Sequence, residues 1–124
     1  VLENIRLLNK KASLRKIKNM MKLFEIFKTS NLTNDQLLNL DLEQYPNYLS
    51  GGEIQRLCLV RDLISNYPIV LIDEPTSALD TKTKEKIIKA LKYLSSERTI
   101  IISTHENDFM RVASTIYEIK SKSL

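Results

Sequence analysis

Only two glycines occur in 124 residues, and they are adjacent: Gly51 and Gly52. A loop that cradles phosphate needs glycine-rich backbone followed by Lys and Ser/Thr, because glycine lets successive N–H groups close around the anion. No such loop is present, and a dinucleotide fingerprint with three spaced glycines is equally absent. Any nucleotide chemistry must therefore draw its phosphate cradle from elsewhere. Gly51-Gly52 instead sits between Ser50 and Glu53, a capping-box spacing that opens a helix running to about Ser65. Paired glycines in a first turn cost helix stability, by about 1 kcal/mol each relative to alanine in a helix interior. Their presence implies a close approach to exposed N–H groups, of the kind that binds anions at a helix N-terminus. A plain helix cap would equally account for Ser50 and Glu53.

The rest of the chain is that of an ordinary globular domain, 43% hydrophobic and 27% charged. The longest apolar runs, such as Ile69–Ile72, fall far short of the roughly 18 residues that cross a bilayer. The single cysteine, Cys58, excludes a disulfide framework or a multi-cysteine zinc site, and a reducing, cytoplasmic setting is expected. Glu3 and Arg6 within the first eight residues are not expected of a signal peptide, and Val1 in place of an initiator Met is expected of a piece of a longer protein. The net charge of +4 is uneven, with residues 1–28 carrying a net +6. These lysines and arginines alternate with apolar positions in helical register and aromatics are few, so a solvated helix face is expected and nucleic acid is not an expected partner.

Leu14, Ile17, Met21, Phe24 and Phe27 recur at helical spacing and predict an amphipathic helix over residues 13–28. Thr33 and Gln36 form a capping box opening a short helix through Leu40, and Tyr45-Pro46-Asn47 is a break. Ile69–Ile72 predicts a strand buried on both faces, followed by a turn at Asp73-Glu74-Pro75. A helix over residues 82–95, a strand over Thr99–Ser103, a short helix over Glu106–Val112 and a third strand over Thr115–Ile119 complete the pattern. Alternation of helix and strand from Ser50 onward predicts an α/β fold with parallel strands, preceded by an α-helical subdomain. The expected division is residues 1–48 and 49–124.

Two acids, Asp73 and Glu74, close the first strand. Ligands of open α/β sheets collect beyond strand ends, where one carboxylate can serve Mg²⁺ and its neighbour can orient a water. Successive residues on a strand face opposite sides, which lets the two take different tasks. An acidic turn before Pro75 is the simpler alternative. His105, the only histidine, ends the second strand and is placed to reach the same crevice. A structural histidine is its alternative.

Taken in order, these motifs resemble ABC-type ATPases. Leu49-Ser50-Gly51-Gly52-Glu53 is similar to the signature motif, with Glu53 where many members have Gln. Ile69–Asp73 with Glu74 resembles the Walker B strand and its glutamate, Ser77-Ala78-Leu79-Asp80 the D-loop, and Ser103-Thr104-His105 the switch histidine. Val1–Ile5 resembles the segment just beyond the Q-loop. The resemblance covers essentially the whole chain, and implies the C-terminal part of a P-loop NTPase core of ABC type, without Walker A and the Q-loop. It implies ATP and Mg²⁺ as cofactors, with Asp73 holding the metal, Glu74 as general base and His105 at the γ-phosphate as catalytic residues. Ser50, Gly51, Gly52 and Glu53 would bind nucleotide held by a second, head-to-tail ATP-binding domain, and Asp80 would line that contact.

The run Asp73–Asp80 resembles transporter ATPases, which implies transmembrane partner domains and a place at the cytoplasmic face of the cell membrane. The short Asp80–His105 interval leans toward exporters. A non-transport ABC-type ATPase, or a regulatory fragment without turnover, is the alternative. The resemblance also implies a missing strand between Thr99–Ser103 and Thr115–Ile119. The gap is expected to make the chain rearrange, self-associate or be marginally stable.

Overall fold

The computed structural model describes residues 1–26, 33–41, 48–77 and 79–119. Its elements are helices α1 (Leu2–Arg6), α2 (Leu14–Leu23), α3 (Asn34–Leu38) and α4 (Gly51–Ile64), strand β1 (Ile69–Asp73), helix α5 (Thr81–Leu94), strand β2 (Thr99–Ser103) and a 3₁₀ helix at Asn107–Arg111.

Helix α2 starts where Ser13 accepts a hydrogen bond from the Lys16 N–H, and buries Ile17, Met20 and Met21. It stops at Leu23, five residues before the expected end. Glu25 lies in the left-handed region at φ 50°, which turns the chain away from the helix axis. Phe24 caps the helix and is fully buried, as its spacing predicts, whereas Leu14 is 45% exposed. The basic side chains Arg15, Lys16 and Lys22 face solvent, and Lys18 pairs with Asp35 at 2.7 Å. Residues 27 and 28 of the expected helix lie outside the described residues, as does the break at 45–47.

Both capping boxes form. Thr33 and Gln36 open α3, which ends at Leu38 rather than Leu40, and Ser50 and Glu53 open α4. Along α4, Leu57, Val60, Leu63 and Ile64 recur every three to four residues and are buried. They pack with Ile5 of α1, Ile17 and Met21 of α2, and Ile87 and Leu91 of α5 in one hydrophobic cluster. This core runs continuously across residue 48.

Strands β1 and β2 pair in parallel, Ile69 opposite Thr99 through Asp73 opposite Ser103. The intervening α5 is the crossover that a parallel pair requires. Only one face of β1 is covered, which corrects the expectation of burial on both. Val70 and Ile72 are buried, while Ile69 and Leu71 are 57% and 72% exposed. A parallel strand is sealed on both sides only when helices lie on both; here α4 and α5 contribute to the single cluster that holds Val70 and Ile72.

The third strand does not form either. Residues 115–119 have no strand pairing, and among the described residues the sheet has two strands. Ile116, Tyr117 and Ile119 are exposed. An apolar alternation becomes a strand only by exchanging hydrogen bonds with a neighbour, and this segment pairs with neither β1 nor β2. The expected last helix is a 3₁₀ turn at Asn107–Arg111 that buries Phe109.

Candidate functional site

The carboxyl end of β1 carries the site. The Glu74 N–H continues the ladder by donating to the Ser103 carbonyl at 2.9 Å. Its own φ of 44° then takes the backbone into the left-handed region, unusual for a residue with a Cβ and of a kind that clusters at functional sites. The side chain is thereby directed to the end of β2. Glu74 Oε1 lies 2.7 Å from His105 Nδ1 and accepts the His105 backbone N–H at 3.1 Å, and Oε2 accepts the Thr104 hydroxyl at 3.2 Å.

The His105 ring, foremost, holds the Glu74 carboxyl below its ordinary range, helped by the His105 N–H and Thr104 against partial desolvation. His105 is 80% exposed, so the ring is anchored at Nδ1 and otherwise open. The carbonyl of Glu74 accepts the Gln55 side-chain amide at 2.9 Å, which ties the second turn of α4 to the same point.

Asp73 ends β1 on the exposed face, in register with Ser103. It is separated from Glu74 by the strand pleat, so the two acids face different surroundings. Mg²⁺ is commonly held by one or two carboxylates together with waters and substrate phosphates. A single exposed carboxylate at a strand end fits that donor set. No group of three or more metal-ligating side chains occurs among the described residues.

At the start of α4 the Glu53 carboxylate is buried and turned back on Ser50, accepting from its N–H at 3.0 Å and its hydroxyl at 2.9 Å. Ser50 Oγ accepts the Glu53 N–H at 3.3 Å in return. Gly51 is exposed, and a Cβ added there would meet nothing within 4 Å. At Gly51, one of the pair where a close approach is expected, no described residue fills that space. Asp80 is the N-cap of α5 and accepts the Thr83 N–H at 3.1 Å, a role that its place in the D-loop motif does not announce. Ala78 of that motif lies outside the described residues.

Thus Glu74 and His105 meet directly, while Ser50–Glu53 open α4 and Asp80 opens α5. Sequence reasoning missed four side chains that hold this arrangement. Besides Gln55, these are Thr104, which bonds Glu74, and Glu106 with Lys84. Glu106 takes the Lys84 ammonium at 2.7 Å and the Thr76 hydroxyl at 2.5 Å. Lys84, then Thr76, keep the Glu106 carboxyl below its ordinary range, and Glu106 in turn raises Lys84. Of the four, only Thr104 carried a local signal, a hydroxyl beside the histidine.

Residues 1–77, more than half of the chain, match the family model described as ABC transporter. The chain belongs to the ABC transporter family. An uncharacterised ABC transporter ATP-binding protein of Methanocaldococcus jannaschii is 47% identical over 77 residues, covering 60% of this chain and 33% of that protein. The β-(1→2)glucan export ATP-binding/permease protein of Rhizobium meliloti is 36% identical over 116 residues, covering 92% of this chain and 19% of the relative.

Among solved structures, an ATP-bound bacterial Atm1-family ABC exporter superposes with a TM-score of 0.62 at 32% identity, covering 86% of this chain and 18% of the exporter. A dimeric bacterial ABC transporter cassette gives a TM-score of 0.59 at 34% identity, covering 79% and 38%. This ABC transporter chain thus matches an ATP-binding domain, and spans about a third of the length of the Methanocaldococcus relative. None of its described helices is long and apolar enough to cross a membrane.

Proposed function

We propose that this chain supplies the hydrolytic end of β1 and the signature helix of an ABC transporter ATP-binding domain, whose ATP-driven pairing powers transport. The observation that carries the reading is the direct contact of Glu74 with His105 at the end of β1. Glu74, kept ionised by His105 and Thr104, is suited to accept the proton of an attacking water. His105, with Nδ1–H donating to Glu74, turns Nε2 outward toward a γ-phosphate, and with both ring nitrogens protonated it would donate there and steady developing negative charge. Asp73 would hold Mg²⁺, which neutralises phosphate charge when bound.

Ser50, Gly51 and Gly52 form an open helix N-terminus suited to a phosphate on a second ATP-binding domain in a head-to-tail pair. The bare Gly51 supports this, since a partner can approach its backbone unhindered. Glu53 acts there through its cap on Ser50, and Asp80 lines the contact while capping α5. Transmembrane domains or subunits, and a place at the cytoplasmic face of the cell membrane, follow from the same reading.

With no phosphate loop in its sequence, the isolated chain is inactive in this proposal. Steady-state turnover of Mg-ATP tests it, measured on the 124-residue chain and on its full-length parent. Turnover by the parent alone is expected. A rate for the isolated chain comparable to an intact ATPase, or a parent that neither binds nor hydrolyses ATP, would overturn the reading.

A further inference from the structure

We propose that Glu106 is a positioning residue for the Glu74–His105 pair, clamped in place by Lys84 of α5. The proposal rests on the roles given above to Glu74 and His105. Glu106 follows His105 directly, yet its side chain is 14% exposed against 80% for the histidine. Its carboxylate reaches Thr76, which is fully buried in the turn after β1, and Lys84 one turn into α5. Asp108 lies 3.9 Å from the same ammonium, a weaker second anion.

The backbone of Glu106 completes the link. Its N–H donates to Thr104 Oγ1 at 3.1 Å, and that hydroxyl donates to Glu74 Oε2 at 3.2 Å. A hydroxyl has one proton and two lone pairs. Occupying a lone pair with the Glu106 N–H leaves the proton directed at Glu74. The segment 104–106 is a loop connection after β2 with His105 exposed, of a kind that is mobile unless tied down. Glu106 ties it to two elements at once, the turn after β1 and the first turn of α5. Because Asp80 caps α5, the same bridge joins the Asp80 end of that helix to the histidine.

His105 is the only histidine, so imidazole ¹⁵N NMR of the 124-residue chain reports a single ring. Its contact with Glu74 requires a protonated Nδ1. Glu106→Gln and Lys84→Met are each expected to abolish the uniformly Nδ1-protonated signal and bring up the Nε2–H tautomer. Their combination is expected to do no more than either alone, because both act through one bridge. Lys84→Arg, which keeps the charge, is expected to retain the wild-type signal.

Melting temperature falls for any lost ion pair, whereas the ring tautomer moves only if the histidine is released. A wild-type signal in folded Lys84→Met would overturn the proposal. Should Glu106→Gln fail to fold, the half-buried Lys84 still carries the test through its two variants. No nucleotide is present in this measurement. A parent without ATPase activity would remove the proposed function and leave the bridge standing, and an unchanged ring would do the reverse.

Discussion

Glu74 Oε1 and His105 Nδ1 lie 2.7 Å apart although 31 residues separate them in sequence. Parallel pairing of β1 with β2 creates the contact: the Ser103 carbonyl takes the Glu74 N–H, so the residues just beyond each strand emerge side by side. The contact anchors the imidazole at Nδ1 and leaves its other edge exposed at the strand end.

Replacing Glu74 with Gln preserves size and most hydrogen bonding but removes the proton acceptor. In the full-length parent, Glu74→Gln is expected to slow hydrolysis by about 10²–10⁴-fold, the usual worth of a general base, while ATP binding persists. ATP-bound dimers should accumulate, as read by size-exclusion chromatography with Mg-ATP. An unchanged rate would leave Glu74 as a turn residue.

Gly51→Ala separates stability from function. A methyl group at Gly51 meets none of the described residues within 4 Å, so α4 should gain part of the roughly 1 kcal/mol that separates glycine from alanine in helices. Urea unfolding of the isolated chain is expected to shift to a higher midpoint. In the parent the same methyl group stands where a partner's phosphate would approach, and ATP-driven association is expected to weaken.

Acid should loosen the site. Glu74 and Glu106 both have carboxyls below their ordinary range, so the unfolded chain binds more protons than the folded one across the interval beneath about pH 4.3. Their stabilisation is present above that value and lost as pH falls through the lowered folded values. Lys84 is raised, so its share is complete below about pH 10.4 and disappears as pH rises through its folded value. Urea midpoints measured across pH should show both limbs. Glu106→Gln is expected to flatten the acid limb in part, with Glu74 supplying the remainder.

The buried face of α2 gives a stability prediction. Phe24→Ala empties a fully buried site in the single core and is expected to cost about 3–5 kcal/mol. Leu14→Ala, on the exposed side of the helix, should stay within about 0.5 kcal/mol. Equal effects would mean that the helix is rotated from the orientation described.

Local signals in the chain match the structure wherever a few neighbouring residues decide the outcome. The capping boxes at Thr33–Gln36 and Ser50–Glu53 close over three residues, and the β-branched runs of β1 and β2 are bounded by turn chemistry. Helix α2 ends early because one residue, Glu25, takes a left-handed conformation that no glycine announces. The paired acids and the lone histidine were legible as candidates because each ends a recognisable strand.

By itself the sequence determined the order of elements from α2 to β2, the lack of a phosphate loop and the placing of Glu74 and His105 at strand ends. The tertiary structure alone decided which strand faces are covered, that residues 115–119 remain unpaired, and that Gln55, Lys84, Thr104 and Glu106 hold the site. Caps and periodicities are local interactions, written within a turn of chain. Burial and long-range bonds such as Lys84 to Glu106 depend on which elements meet in space, and no spacing along the chain encodes that.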